Sequence, residues 1–260
     1  MVLIREIDGG SIKQLETRLV DFYNTFGDYP CFSEPSNYPA LWAEVLLRAE
    51  QIAAERGRCR VLEIGAGKSG FGSHLRVKAS RNIHLTTQDV TTSNEPFLRE
   101  TSDEIVIGNI DQLTGEWDVI FHSYAYEHFC RPRAFNDMIW DRLSIGGSLL
   151  IQCPRYDMPF YTPPSLSHLG TCRRLWCSMR TGLQTLASQR SRFDIVADPA
   201  VFHIPFKRDT DAIHWVRASD LRRQFAGRAE ISQFVVPASG WKDRLVKRLL
   251  TLRIALKKIK

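Results

Sequence analysis

The segment VLEIGAGKSGFG, residues 61–72, constrains this chain more than any other stretch of its 260 residues. A short apolar run ends in closely spaced glycines, and an amphipathic pattern resumes behind them. That is the layout of a strand turning sharply into a helix. Glycines at 65 and 67 let the backbone turn tightly and approach a ligand with no Cβ in the way. The helix behind them offers unpaired N–H groups in its first turn. Alone, such a Gly-x-Gly-x-x-Gly turn serves more than one cofactor.

The surroundings of the turn set the fold class. Apolar strands are expected at Arg60–Ile64, Ile83–Thr87, Glu104–Ile107, Trp117–Phe121 and Ser148–Cys153. Helical patterns fall between them at Phe71–Val77 and Pro132–Leu143, and Gly146-Gly147 reads as a turn before the fifth strand. This alternation predicts an α/β fold, a mostly parallel sheet sandwiched by crossover helices. Ahead of it lie a helix opened by Ser11 and Gln14 as a capping box, an irregular stretch to Pro39, and a helix over Pro39–Arg56. Residues 1–57 are therefore expected as an N-terminal helical cap. Residues 155–213 interrupt the rhythm as an insertion after strand five. They open Pro-rich and carry a helical stripe of Leu169, Cys172, Trp176, Met179, Leu183 and Leu186. A helix near Ala218–Phe225 and a strand near Glu230–Val236 close the domain at about 237.

Charge and cysteine usage bound the setting. The formal charge is +6, and Met158 to Phe193 contains Arg173, Arg174, Arg180, Arg190 and Arg192 but no acid. Six cysteines show no Cys-x-x-Cys pair, and the first ten residues carry Arg5, Glu6 and Asp8. Free thiols in a cytoplasmic setting are expected. No apolar run approaches the roughly 20 residues of a membrane span. In residues 238–260, Trp241, Leu245, Leu249, Leu252, Leu256 and Ile259 recur at helical steps, with eight Lys and Arg residues against Asp243. This predicts a basic amphipathic C-terminal helix. Its readings are peripheral contact with an anionic membrane, packing on its own domain, or nucleic-acid contact.

Two acids flank the glycine turn. Glu63 stands two residues before Gly65, where an anion would repel a pyrophosphate but suit an ammonium group. Asp89 follows the next strand, where an acid can accept both hydroxyls of a ribose. With Glu63, Gly65 and Gly67, then Asp89, then Asn109 and Ile110 after the third strand, and the region WDVIFHSYAYEH at 117–128, the chain resembles the class I, Rossmann-like S-adenosylmethionine (SAM)-dependent methyltransferases, in particular their small-molecule branch. The resemblance covers about residues 58–154. It implies a SAM-binding domain over 58–237. Gly65 and Gly67 would line the methionine part, with Glu63 at its amino group. Asp89 would hold the ribose, Asn109 and Ile110 would flank the adenine, and His122 and Ser123 would border the sulfonium and the acceptor. Two departures stand: Ser69 replaces a usual glycine, and no regular final antiparallel strand follows Glu230–Val236.

Methyl transfer to a hydroxyl requires positioning and removal of a proton. His122 and His128 are the candidate catalytic bases, ahead of Glu127, Asp157, His168, His203 and His214. Tyr124 and Tyr126 are candidate walls of the acceptor pocket, and Tyr23, Tyr29 and Phe32 candidate covers over the cofactor. The expected activity is O-methylation of a small-molecule, sugar or lipid-linked glycan acceptor, anionic in character and near a membrane. A nucleic-acid methyltransferase is disfavoured, because residues 122–125 read HSYA rather than an Asn/Asp-Pro-Pro-aromatic motif. Cys153-Pro154 falls at a strand end, where a cysteine packs. A nicotinamide oxidoreductase and a non-catalytic SAM-binding protein are the remaining alternatives. No cluster has metal-ligand spacing, so no metal is expected.

Overall fold

The computed structural model describes residues 2–5, 9–25, 31–32, 39–79, 82–158, 161–167, 169–197, 211–234, 240–241 and 249–260. In chain order the elements are β1 (Val2–Arg5), α1 (Gly9–Thr25), β2 (Cys31–Phe32), α2 (Pro39–Arg56), β3 (Cys59–Ile64), β4 (Lys68–Ser69), α3 (Phe71–Lys78), β5 (Ile83–Asp89), α4 (Glu95–Thr101), β6 (Glu104–Ile107), β7 (Trp117–Ser123), α5 (Pro132–Asp141), β8 (Leu143–Pro154), α6 (Thr171–Ala187), β9 (Asp194–Ala197), α7 (Ala218–Gln224), β10 (Ala229–Ser232) and β11 (Thr251–Lys258).

Seven strands form one sheet in the order β10-β11-β8-β7-β3-β5-β6. Pairings β8–β7, β7–β3, β3–β5 and β5–β6 are parallel, and β11 runs antiparallel to both β8 and β10. Strand alternation divides the core. Val61, Val119, Phe121 and Leu150 pack with Leu41, Trp42 and Val45 of α2 and Phe71 of α3. Leu62, Ile64, Ile120, Leu149 and Ile151 pack on the other face with Phe135, Ile139 and Trp140 of α5 and Leu221 of α7. The cap is tied on separately. Ile12, Leu15 and Leu19 of α1 bury against Cys130, Ile195 and Ile213. β1 pairs antiparallel with β9, so the N-terminus and the insertion share a two-stranded sheet. Arg217 is buried between Asp194 (2.7 Å) and Asp220 (3.1 Å) and fastens β9 to the start of α7.

The expected α/β architecture is present, with three corrections. The tail is not helical over 251–258. Those residues form β11, and Leu252, Ile254 and Leu256 are buried in the sheet. Leucines at 249, 252 and 256 fit a helical step, but Leu252, Ile254 and Leu256 equally fit the two-residue step of a strand. The slot between β8 and β10 decides, because it pairs the backbone on both sides. The apolar face assigned to a membrane is thus inside the protein over this stretch, and residues 242–248 lie outside the described ones. β11 also supplies the final antiparallel strand missing from the sequence pattern.

Second, Gly146-Gly147 is not a turn ahead of the fifth strand but part of β8. Trp117 pairs with Leu143 and Val119 with Ser148, so the extra residues bulge out. Gly146 takes φ +79°, and a Cβ on Gly147 would meet the Asp118 carbonyl at 2.6 Å. Third, the strand expected at Glu230–Val236 is shorter and runs Ala229–Ser232. No described helix is long and apolar enough to cross a membrane.

Candidate functional site

The parallel strands deliver their C-terminal ends to one edge of the sheet. Strand order reverses between β3 and β7, and such a switch point opens a crevice. A cavity of about 210 Å³ lies there. Its floor includes Gly65, Gly67, Asp89, Asn109, Ile110 and Tyr124, and α1 contributes Glu16, Leu19, Val20 and Tyr23 from above.

The glycine turn is as tight as its sequence implies. Gly65 and Gly67 adopt φ +63° and +56°. A Cβ on Gly65 would lie 2.8 Å from the Ala125 Cβ, so the turn closes against the end of β7 only because the side chain is absent. Gly65 N–H donates to Gln88 Oε1 at 3.2 Å and Ala66 N–H to the Gln88 carbonyl at 3.0 Å, fixing the turn to β5.

Asp89 ends β5 and is buried. Its Oδ2 accepts from Gly67 N–H at 2.6 Å and its Oδ1 from Thr91 N–H at 2.9 Å. Burial still raises its pKa, against those bonds and one from Asn94. With the Val90 N–H these partners account for the roughly four acceptor positions of a carboxylate, so an incoming hydroxyl would replace one of them. Glu63 sits behind the turn and does not line the cavity. Desolvation pushes it up to about 8, with the Ser69 hydroxyl opposing and Asp89 adding to the rise. Its Oε2 has no hydrogen-bond partner among the described residues. The repulsion of a pyrophosphate expected from Glu63 is therefore weak near neutrality, whereas a cation brought close would favour the ionised form.

β7 brings its end residues to different places. Tyr124 takes φ +50°, an uncommon conformation for a side-chain-bearing residue, with its N–H donating to the Gln152 carbonyl at 2.8 Å. It lines the cavity. Ser123 does not, and its hydroxyl is buried. His122 is fully buried, stacked on Tyr126 at 5.3 Å and packed against Phe129 and Phe135. Both its nitrogens lack partners among the described residues, and burial pulls its pKa down to about 3. It does not reach the cavity. Tyr126 is a core residue as well, its hydroxyl accepting from Asn136 at 2.7 Å.

His128 does reach the cavity. Its Nδ1 lies 3.1 Å from Asp211 Oδ2, and the Tyr23 hydroxyl donates to the same oxygen at 2.5 Å. This is an ion-pair approach rather than an aligned hydrogen bond, and Nε2 lies 3.9 Å from Glu127 Oε1. Arg131 at the same rim pairs with Glu16 of α1 at 2.6 Å and with Asp111 at 3.6 Å. Asp211, Arg131 and Glu16 carried no motif in the sequence. Asp211 lies near the end of the insertion, and only tertiary packing brings it to His128. Among the other candidate bases, Asp157 is engaged by Arg155 and by Ala218 N–H. His214 is buried, with its pKa pulled down to about 3. Glu127 is buried, and His168 and His203 lie outside the described residues. Of the candidate covers, Tyr29 lies outside them and the Phe32 side chain is not described. The Cys153 thiol is buried and held well above its ordinary pKa, which does not suit a nucleophile.

Compared by sequence, the chain matches no protein-family model and no curated protein. Compared by structure, it is similar to an S-adenosylmethionine-dependent methyltransferase from Mesorhizobium loti, at TM-score 0.52 and 12% identity over 86% of this chain and 98% of that one. It is also similar to a protein described as a putative S-adenosylmethionine-dependent methyltransferase from Listeria monocytogenes, at TM-score 0.50 and 11% identity over 85% and 99%. The fold is that of the Rossmann-like methyltransferases.

Proposed function

We propose that this protein is a SAM-dependent methyltransferase acting on a hydroxyl of a small-molecule, sugar or glycan acceptor. The observation that carries the reading is the convergence, in one cavity at the switch point, of the Gly65–Gly67 turn, Asp89, Asn109 and Ile110 with His128, which has the Asp211 carboxylate 3.1 Å from its Nδ1. The residues fit the cofactor. The glycine turn and the buried Asp89 carboxylate both line the cavity, and Glu63 Oε2 behind the turn is a buried oxygen without a partner among the described residues. SAM supplies an electrophilic methyl group on a sulfonium.

Each part of the chain then has a task. Gly65 and Gly67 admit the methionine portion, and Glu63 balances its ammonium once ionised. Asp89 accepts from the ribose hydroxyls, and Asn109 and Ile110 flank the base. His128, oriented by Asp211, takes the proton from the acceptor hydroxyl. Tyr23 holds Asp211 in place and, with α1, limits water at the reacting centre. The acid-free, arginine-bearing stretch from Met158 to Phe193 favours an anionic acceptor.

Incubation of cell fractions with methyl-labelled SAM tests this directly. Label should enter a small or glycan-bearing product. His128→Asn should reduce turnover by about 10²–10⁴-fold at unchanged cofactor affinity. Label appearing only in nucleic acid, or full turnover by His128→Asn, contradicts the reading.

A further inference from the structure

The helix of the insertion is turned inside out. In α6 the large apolar residues Trp176, Met179 and Leu183, spaced by three and four, are 58%, 55% and 65% exposed. The inward face carries Cys177, Ser178, Thr181 and Thr185. A helix that merely covers its domain does the opposite, turning its apolar stripe to the core. A contiguous exposed apolar stripe of this kind marks a contact surface.

Charge identifies what fits it. Arg173 and Arg180 are exposed on α6, and the Arg180 guanidinium lies 5.2 Å from the Trp176 ring centre. No acid occurs from Met158 to Phe193. We propose that the exposed face of α6 is a docking surface for an anionic lipid membrane, with Trp176, Met179 and Leu183 entering the interface and Arg173 and Arg180 meeting the headgroups. An apolar stripe containing Trp, rimmed by arginine and free of acid, is the pattern of a helix lying in the plane of a bilayer surface. A second copy of the chain is disfavoured, since two-fold pairing would gather the arginines of both copies at one interface to which residues 158–193 bring no acid. Single-stranded nucleic acid is disfavoured, since Met179 and Leu183 offer it no stacking surface. The segment bearing α6 leaves the sheet at the C-terminal end of β8, the end at which the cavity opens. The surface is independent of the methyltransferase reading, because docking requires no turnover.

Vesicle co-sedimentation of the full chain tests the proposal, with phosphatidylcholine vesicles prepared with and without phosphatidylglycerol. Binding is expected only to the anionic vesicles. Arg173→Gln/Arg180→Gln should weaken it by roughly thirtyfold, and Trp176→Ser/Leu183→Ser should weaken it at least tenfold. Both variants change exposed side chains, so an unchanged melting temperature verifies the fold. Failure to bind anionic vesicles, or binding that survives both double substitutions, overturns the proposal. So does conversion of a dimer to a monomer by Trp176→Ser/Leu183→Ser, or loss of RNA binding with vesicle binding unaffected.

Discussion

The two histidines of β7 and its following turn show how much a single position decides. His122 alternates with Phe121, so it points to the face carrying Tyr126 and Phe135, where it is buried behind the cavity wall that Phe129 and Phe135 form. That parity was available in the sequence, where Val119 and Phe121 mark one face and Ile120 and His122 the other. His122→Phe should therefore leave methyl transfer intact. It should also change acid sensitivity. With its folded pKa near 3, below the ordinary 6.5, His122 stays neutral when folded, while the unfolded chain takes up a proton. Stability is lost as pH falls below the unfolded value, by about 1 kcal/mol per such group between roughly pH 6.5 and 5.5. Urea unfolding of His122→Phe should show a smaller loss over that window, with the contribution of His214 remaining. Glu63 behaves oppositely. Its pKa is raised to about 8, so folding gains from the bound proton and stability falls as pH rises from about 4.5 toward 8. A cofactor ammonium would reverse this by favouring the ionised carboxyl, so SAM affinity should rise with pH up to about 8. Glu63→Gln should flatten that dependence in calorimetric titrations; a wild-type affinity independent of pH would contradict this role. That Gly65, Gly67, Asp89, Asn109 and Ile110 line the cavity was legible because each ends or closely follows a parallel strand whose order fixes its place. Asp211 was not, because it meets His128 only through tertiary packing.

At the scale of elements, the sequence was clearest where strands alternate with helices and least clear at the tail. Residues 249–256 satisfy two periods at once, and only the vacancy between β8 and β10 selects the strand. The strand assignment has a direct test. Leu252→Ala and Leu256→Ala remove fully packed side chains and should each cost about 2–5 kcal/mol in denaturant unfolding. Leu249→Ala, at a 37% exposed position just ahead of β11, should cost far less. Equal effects at all three positions would restore the helix. α1 offers a second test. It is held over the cavity by Glu16–Arg131 and Tyr23–Asp211 besides its packed leucines. An exposed ion pair is worth about 0.2–1 kcal/mol. Arg131→Ala should thus leave global stability nearly unchanged while speeding amide exchange in α1 by up to about fivefold. Unchanged exchange there would mean that the apolar contacts alone hold the helix.

For the whole molecule, the order β10-β11-β8-β7-β3-β5-β6 and the single reversed strand define a doubly wound sheet with its crevice between β3 and β7. The cap closes one side of that crevice, and the insertion supplies Asp211 and the outward stripe of α6. On the proposed reading the cavity and the glycine turn hold the cofactor, and α6 of the insertion meets a membrane. The account stands on the identity of that cofactor. Isothermal titration of the wild type and Asp89→Ala with SAM, and of the wild type with NAD, addresses it most directly. One SAM per chain should bind, Asp89→Ala should weaken binding at least about tenfold through the lost ribose hydrogen bonds, and NAD should give no binding heat. Absence of SAM binding, or tighter binding of NAD, would contradict the account.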